Sequence, residues 1–257
     1  MFKKNQNRTI VFAGGAALGF AHIGAIKSIE ENNIQYNELI GTSFGAVVAT
    51  FLSVGYNYKK ITELLEEINY LKLLKINIFD LSSLIEQTKI RNFLQEKIGD
   101  ITFNEVQTNL KIIATNIDNG EKIVFSKNNN IKIIDAICAS ISIPAIFKPY
   151  KINGNSYVDG FVTSNLPIEE SENKNIIAIN TISQKFIENK KHKFPNQIIE
   201  KSYYLMLLNQ TKEKLKNIKN KNIKYIEFDL EEFKPYDFHK WRNLVDIGYK
   251  QFKEKYI

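Results

Sequence analysis

Twice near its start the chain runs through a short apolar strand pattern, turns on glycine and enters a helical pattern. Residues 9–13 (TIVFA) end on Gly14 and Gly15, and residues 19–32 then place Ile23, Ile26 and Ile29 on one side of a helix. Residues 38–40 repeat the move through Gly41-Thr42-Ser43-Phe44-Gly45 into the small apolar segment 46–54. A strand that passes directly into a helix must return to the sheet by a crossover, which makes its neighbour parallel. The rest of the chain continues the alternation. Helices are expected at 59–74 and 85–98, and strands at 110–117 and 121–126 joined by the hairpin turn Asp118-Asn119-Gly120. A helix at 133–140 stops before Pro144, and a strand at 156–158 leads into Asp159-Gly160. A buried strand at 176–180, a helix at 196–216, a strand at 225–230 and a last helix at 239–255 complete the pattern. The expectation is an α/β fold with a mostly parallel central sheet flanked by helices. No Pro/Ser-rich linker, repeat or composition break divides it, so residues 1–257 read as a single domain.

Composition removes several function classes. Cys138 is the only cysteine, which excludes an intrachain disulfide and a cysteine zinc cluster and points to a reducing compartment. The start of the chain is short and polar, and its first apolar run is cut by Gly14 and Gly15, so it does not read as a signal peptide. No apolar run approaches the ~18 residues of a membrane span. A cytoplasmic protein is expected. The net charge of +7 is local: residues 190–224 hold ten Lys and two Glu, and the remainder of the chain sums to −1. With 32 Lys but only 3 Arg, the residue that makes bidentate contacts to phosphate and guanine is scarce, which argues against nucleic acid. The segment 190–224 is either a solvated face or a peripheral contact with an anionic membrane at its inner face, beside Tyr203, Tyr204 and the apolar run 205–208.

Gly41-Thr42-Ser43-Phe44-Gly45 fits G-x-S-x-G, in which small flanking residues let a strand turn sharply and leave the serine at a helix N-terminus. An ordinary N-cap serine is the competing reading of Ser43 alone. The position after a strand and before a small-residue helix favours a nucleophile. Gly14-Gly15-Ala16 forms a second turn whose free N–H groups can face an anion. A dinucleotide loop would need a glycine where Ala16 stands and an acidic residue at the end of the next strand, where the chain instead runs into Ser43. An oxyanion hole next to Ser43 needs neither. For the base, His22 reads as a structural polar residue and His192 sits in a charged loop. His239 keeps the Ser, Asp, His order of a triad open, and Asp159 at the end of a short strand is the other candidate.

Taken in order, these segments resemble the patatin-like phospholipases. The resemblance rests on Gly14-Gly15 through Gly24, Gly41 through Ala46, and Asp159-Gly160 followed by Asn165-Leu166-Pro167. Residues 114–125, 139–147 and 244–249 extend it. It implies a three-layer fold and a Ser-Asp dyad with Ser43 as nucleophile and Asp159 as base. It also implies oxyanion donors from Gly14, Gly15 and Ala16, supported by the motif glycines Gly41, Gly45 and Gly160, and it requires no cofactor or metal. The substrate class it implies is a phospholipid or lysophospholipid, cleaved by a lipid acyl hydrolase. The chain departs from the pattern at Ala16, at Leu18 and at Phe161, which follows Asp159-Gly160 where a small residue is usual. Those departures keep a second reading open, a catalytically weak or silent lipid-binding or regulatory protein on the same fold. A Ser-His-Asp esterase using His239 is the third.

Overall fold

The computed structural model describes residues 7–67 and 87–257. Its centre is a sheet of eight strands among the described residues. β1 (Arg8–Phe12), β2 (Glu38–Thr42) and β3 (Asn109–Asn116) run parallel, with β2 between the other two. β4 (Lys122–Phe125) returns antiparallel along β3 through the expected hairpin. β5 (Tyr150–Ile152) and β6 (Asn155–Asp159) pair antiparallel, and β6 joins the sheet antiparallel to β3. β7 (Asn175–Asn180) lies parallel on the other side of β1, and β8 (Asn222–Glu227) is parallel to β7.

The helices are α1 (Phe20–Glu31), α2 (Phe44–Ser53), α3 (Tyr58–Glu67), α4 (Thr88–Ile98), α5 (Ile133–Ser140), α6 (Phe161–Ser164), α7 (Gln184–Glu188), α8 (Pro195–Asn217) and α9 (Trp241–Tyr256). Because β1 and β2 are covered on both faces, their residues are buried in succession rather than in alternation. Their side chains still divide with period two. Ile10, Phe12 and Leu39 join one apolar cluster with α1, α2, α5 and α9, whereas Val11, Ala13 and Ile40 join a smaller one with Leu166 and Ile168. α8 contributes Leu207 and Leu208 to the first and packs Leu215 against the second.

α1 and α9 cross at a pair of glycines. A Cβ on Gly24 would lie 2.0 Å from the Val245 carbonyl oxygen, and one on Gly248 would lie 2.0 Å from the Ala21 carbonyl oxygen. The two backbones are therefore in contact where any other residue would separate them.

Three details differ from the sequence expectation. The strand expected at 225–230 is β8, in register from Asn175 opposite Asn222 to Asn180 opposite Glu227. The apolar Phe228 and Leu230 beyond it are buried outside the strand. His239 falls in a single 3₁₀ turn, Phe238–Lys240, ahead of the last helix. β5, α6 and α7 were not foreseen. On the helix expected at 59–74, Ile61, Leu64 and Leu65 are buried on α3, whereas Ile68, Leu71 and Leu74, like Ile85, lie outside the described residues.

Register sets the position of the site. Phe12 is level with Gly41 on one side and Ile179 on the other, so the loops after β1 and β2 leave the carboxyl edge side by side. The chain moves from β1 toward β2 and β3, then returns to β7 and β8 across β1. The carboxyl edge at such a reversal is where open α/β sheets bind ligands.

Candidate active site

Ser43 occupies the turn between β2 and α2 with φ 54° and ψ −127°, a conformation costly for a residue with a Cβ. Two glycines make that turn possible. A Cβ on Gly45 would stand 2.4 Å from the Phe12 carbonyl oxygen, and one on Gly41 would stand 2.4 Å from the Gly45 carbonyl oxygen. The Ser43 amide donates to Ser140 Oγ at 2.8 Å, and the Ser140 hydroxyl donates to the Ile113 carbonyl at 2.6 Å. The Ser43 hydroxyl donates to Asp159 Oδ2 at 2.6 Å.

Asp159 is the last residue of β6, opposite Ala114 on β3. Its amide donates to the Ser142 carbonyl at 2.9 Å, and the Thr115 hydroxyl donates to its carbonyl at 3.2 Å. Its other carboxylate oxygen, Oδ1, accepts from the Phe161 amide at 3.0 Å. Gly160 allows the chain to turn here, since a Cβ would lie 2.3 Å from the Ile113 carbonyl oxygen. The carboxyl is fully buried, and burial pushes its pKa up to about 7 against the opposing hydrogen bonds from Ser43 and Phe161. Serine and carboxylate, 116 residues apart in the chain, form one hydrogen-bonded pair.

The glycine loop is narrower as a donor set than expected. The Gly14 amide donates to the Asn165 carbonyl at 3.2 Å, so that N–H is already engaged. The Gly14 carbonyl accepts from the Thr181 hydroxyl at 2.8 Å, and the Ala17 amide donates to the Pro235 carbonyl at 2.9 Å. The Gly15 and Ala16 amides have no hydrogen-bond partner among the described residues. Ala16 adopts φ 47°, so its methyl sits where glycine is easier by roughly 1 kcal/mol or more.

The histidines lie apart from this pair. His22 is buried with Nε2 2.8 Å from the Ala13 carbonyl oxygen, and burial lowers its pKa to about 4, as fits a neutral structural imidazole. His192 and His239 are exposed. No histidine is hydrogen-bonded to Ser43 among the described residues.

Ser43, Gly15 and Ala16 form one wall of a cavity of about 920 Å³ whose remaining lining is largely apolar, including Val47, Phe51 and Phe93. Phe161 also lines it and meets Tyr203 of α8 edge-on, with ring centroids 4.9 Å apart. Asn165 lines it as well, and its side-chain nitrogen is buried with no hydrogen-bond partner among the described residues. Sequence reasoning met Asn165 only as part of Asn-Leu-Pro and gave Ser140 no role. The sole signal for Ser140 was its place in the stretch 139–147. Among the described residues no group of three or more His, Cys, Asp or Glu side chains could hold a metal ion. No helix there is long and apolar enough to cross a membrane.

Residues 10–171, which include Ser43, Asp159 and the glycine loop, match the family described as Patatin-like phospholipase. The chain belongs to this family. An uncharacterized protein of Acanthamoeba polyphaga mimivirus is 32% identical over 182 residues, covering 64% of this chain and 61% of that protein. A probable lipid hydrolase of Invertebrate iridescent virus 6 is 28% identical over 218 residues, covering 73% of this chain and 74% of that protein. The patatin-like chain thus spans about three fifths of the mimivirus relative. Among solved structures, VipD from Legionella pneumophila superposes with a TM-score of 0.58 at 15% identity, over 98% of this chain and 67% of that one. At that identity the likeness is one of fold.

Proposed function

We propose that this patatin-like protein is a serine lipid acyl hydrolase of the phospholipase A or lysophospholipase type, with residues 1–257 acting as one catalytic domain. The observation that carries the reading is the 2.6 Å hydrogen bond from Ser43 to a fully buried Asp159, at the wall of a largely apolar cavity. A carboxyl raised to about 7 is a far better base at neutral pH than an ordinary aspartate near ~4. Asp159 takes the proton of Ser43 as the hydroxyl oxygen attacks the ester carbonyl. The Gly15 and Ala16 amides donate to the oxyanion, and the leaving alcohol departs with the proton held on Asp159. Water, deprotonated by the same carboxylate, then attacks the acyl carbonyl; the Ser43 oxygen leaves and takes the proton back from Asp159 as the fatty acid is released. The apolar cavity receives the acyl chain, and no step calls for a metal or cofactor. The name of the iridescent-virus relative supports the same class.

The test is fatty-acid release from a panel of diacyl phospholipid, lysophospholipid and triacylglycerol, with Ser43→Ala as the blank. Release from phospholipid or lysophospholipid, lost in Ser43→Ala, is expected. Equal release by the two proteins, or none by either, contradicts the reading.

A further inference from the structure

A helix on a protein surface ordinarily turns polar residues outward. α8 does not do so in its first half. Its buried side carries Tyr204, Leu207 and Leu208, yet Ile198, Ile199, Leu205 and Met206 stand exposed on the other side, Ile199 by 71% and Met206 by 64%. Phe194, just ahead of the helix, is 61% exposed. Ile199 and Met206, together with the exposed Val162 and Tyr236, also line the cavity that reaches Ser43. The exposed apolar surface is therefore the rim of the cavity mouth, and a patch of this kind marks an interaction site.

Charge selects the partner. The Lys-rich segment 190–224 does not act as one feature, because α8 holds its two ends about 34 Å apart. At the far end, Lys214 pairs with Glu169 at 2.8 Å, and Lys221 donates to the Ser171 carbonyl at 2.6 Å. Ser171 contacts Thr9 at the amino end of β1, opposite Ser43. At the near end, Lys190 pairs with Glu200, whereas the Lys191 and Lys193 side chains have no partner among the described residues. Free ammonium groups beside exposed apolar side chains match a bilayer that carries anionic headgroups.

We propose that the start of α8, with Phe194, Val162 and Tyr236, inserts into an anionic lipid surface and sets the cavity mouth against it, so that an acyl chain passes from bilayer to Ser43 without crossing water. The proposal rests on the lipid hydrolase reading for the purpose of docking but is read out separately from it. Ser43→Ala protein is sedimented with vesicles of phosphatidylcholine containing phosphatidylglycerol, alongside the same protein carrying Phe194→Ser and Ile198→Ser, two residues outside the cavity. The expected result is vesicle binding by Ser43→Ala, about tenfold or more weaker in the triple variant, and weakened further by salt. With Ser43 intact, the Phe194→Ser/Ile198→Ser protein keeps its rate on a short soluble ester and loses rate on vesicles. Undiminished vesicle binding in the triple variant overturns the proposal, as does a dimer seen by ultracentrifugation that disappears with the two substitutions while vesicles are ignored. Failure to cleave the soluble ester would count against the hydrolase reading and leave the vesicle measurement standing.

Discussion

Asp159→Asn is expected to lower kcat for ester hydrolysis by about 10⁴-fold, the order of loss seen when the acidic member of a serine hydrolase site becomes an amide. The amide fills the same space between Ser43 and the Phe161 amide but cannot take a proton. The wild-type pH profile carries the same information. With Asp159 raised to about 7, kcat/KM should climb through neutral pH and level off above it, because the base works only when ionised. Stability should move the other way. A carboxyl whose folded pKa lies above its unfolded value binds more protons in the folded state between about pH 4 and 7, so its contribution to stability falls as pH rises through that window. Burying the ionised form costs on the order of 4 kcal/mol at pH 8. Asp159→Asn should accordingly melt above wild type at pH 8, with the gap closing toward pH 4. An active Asp159→Asn enzyme together with an inactive His239→Ala one would instead point to a histidine base.

Gly248→Ala separates two physical effects of opposite sign. Helix propensity alone would make it stabilising by roughly 0.5–1 kcal/mol. The α1–α9 crossing makes it destabilising, because the new methyl would lie 2.0 Å from the Ala21 carbonyl oxygen and both backbones would have to part. Parting them loosens Leu244, Val245 and Phe252 of α9 from the core they share with Ile23 and Ile26 of α1. We expect a loss of about 3 kcal/mol, a melting temperature lower by roughly 6–12 °C, as overpacking in a core of this size produces. Thermal unfolding in the presence and absence of the substitution checks this, and a rise in melting temperature would show that the helices separate at little cost.

The parts legible in the sequence are those that local chemistry dictates. Gly41-Thr42-Ser43-Phe44-Gly45 reads as a sharp turn because only glycine tolerates the backbone contacts around Ser43, and the same holds for Gly160 beside Asp159. β8 was misplaced because it is an outer strand of alternating polar residues, half exposed, while the more apolar Phe228 and Leu230 follow it. Ser140 was missed because its role exists only when α5, β3 and the turn at Ser43 meet, across 97 residues of chain. The engagement of the Gly14 amide by Asn165 is likewise a contact that no local pattern encodes. The Lys-rich segment could not be resolved from sequence because composition locates charge along the chain, whereas α8 separates its two ends.

The central claim is that Ser43 is a nucleophile activated by Asp159. Labelling with a fluorophosphonate probe, followed by mass spectrometric mapping of the adduct, tests it most directly. The account predicts one adduct per chain, on Ser43, absent in Ser43→Ala and formed far more slowly in Asp159→Asn. No adduct, an adduct on another serine, or labelling of Asp159→Asn at the wild-type rate would contradict it.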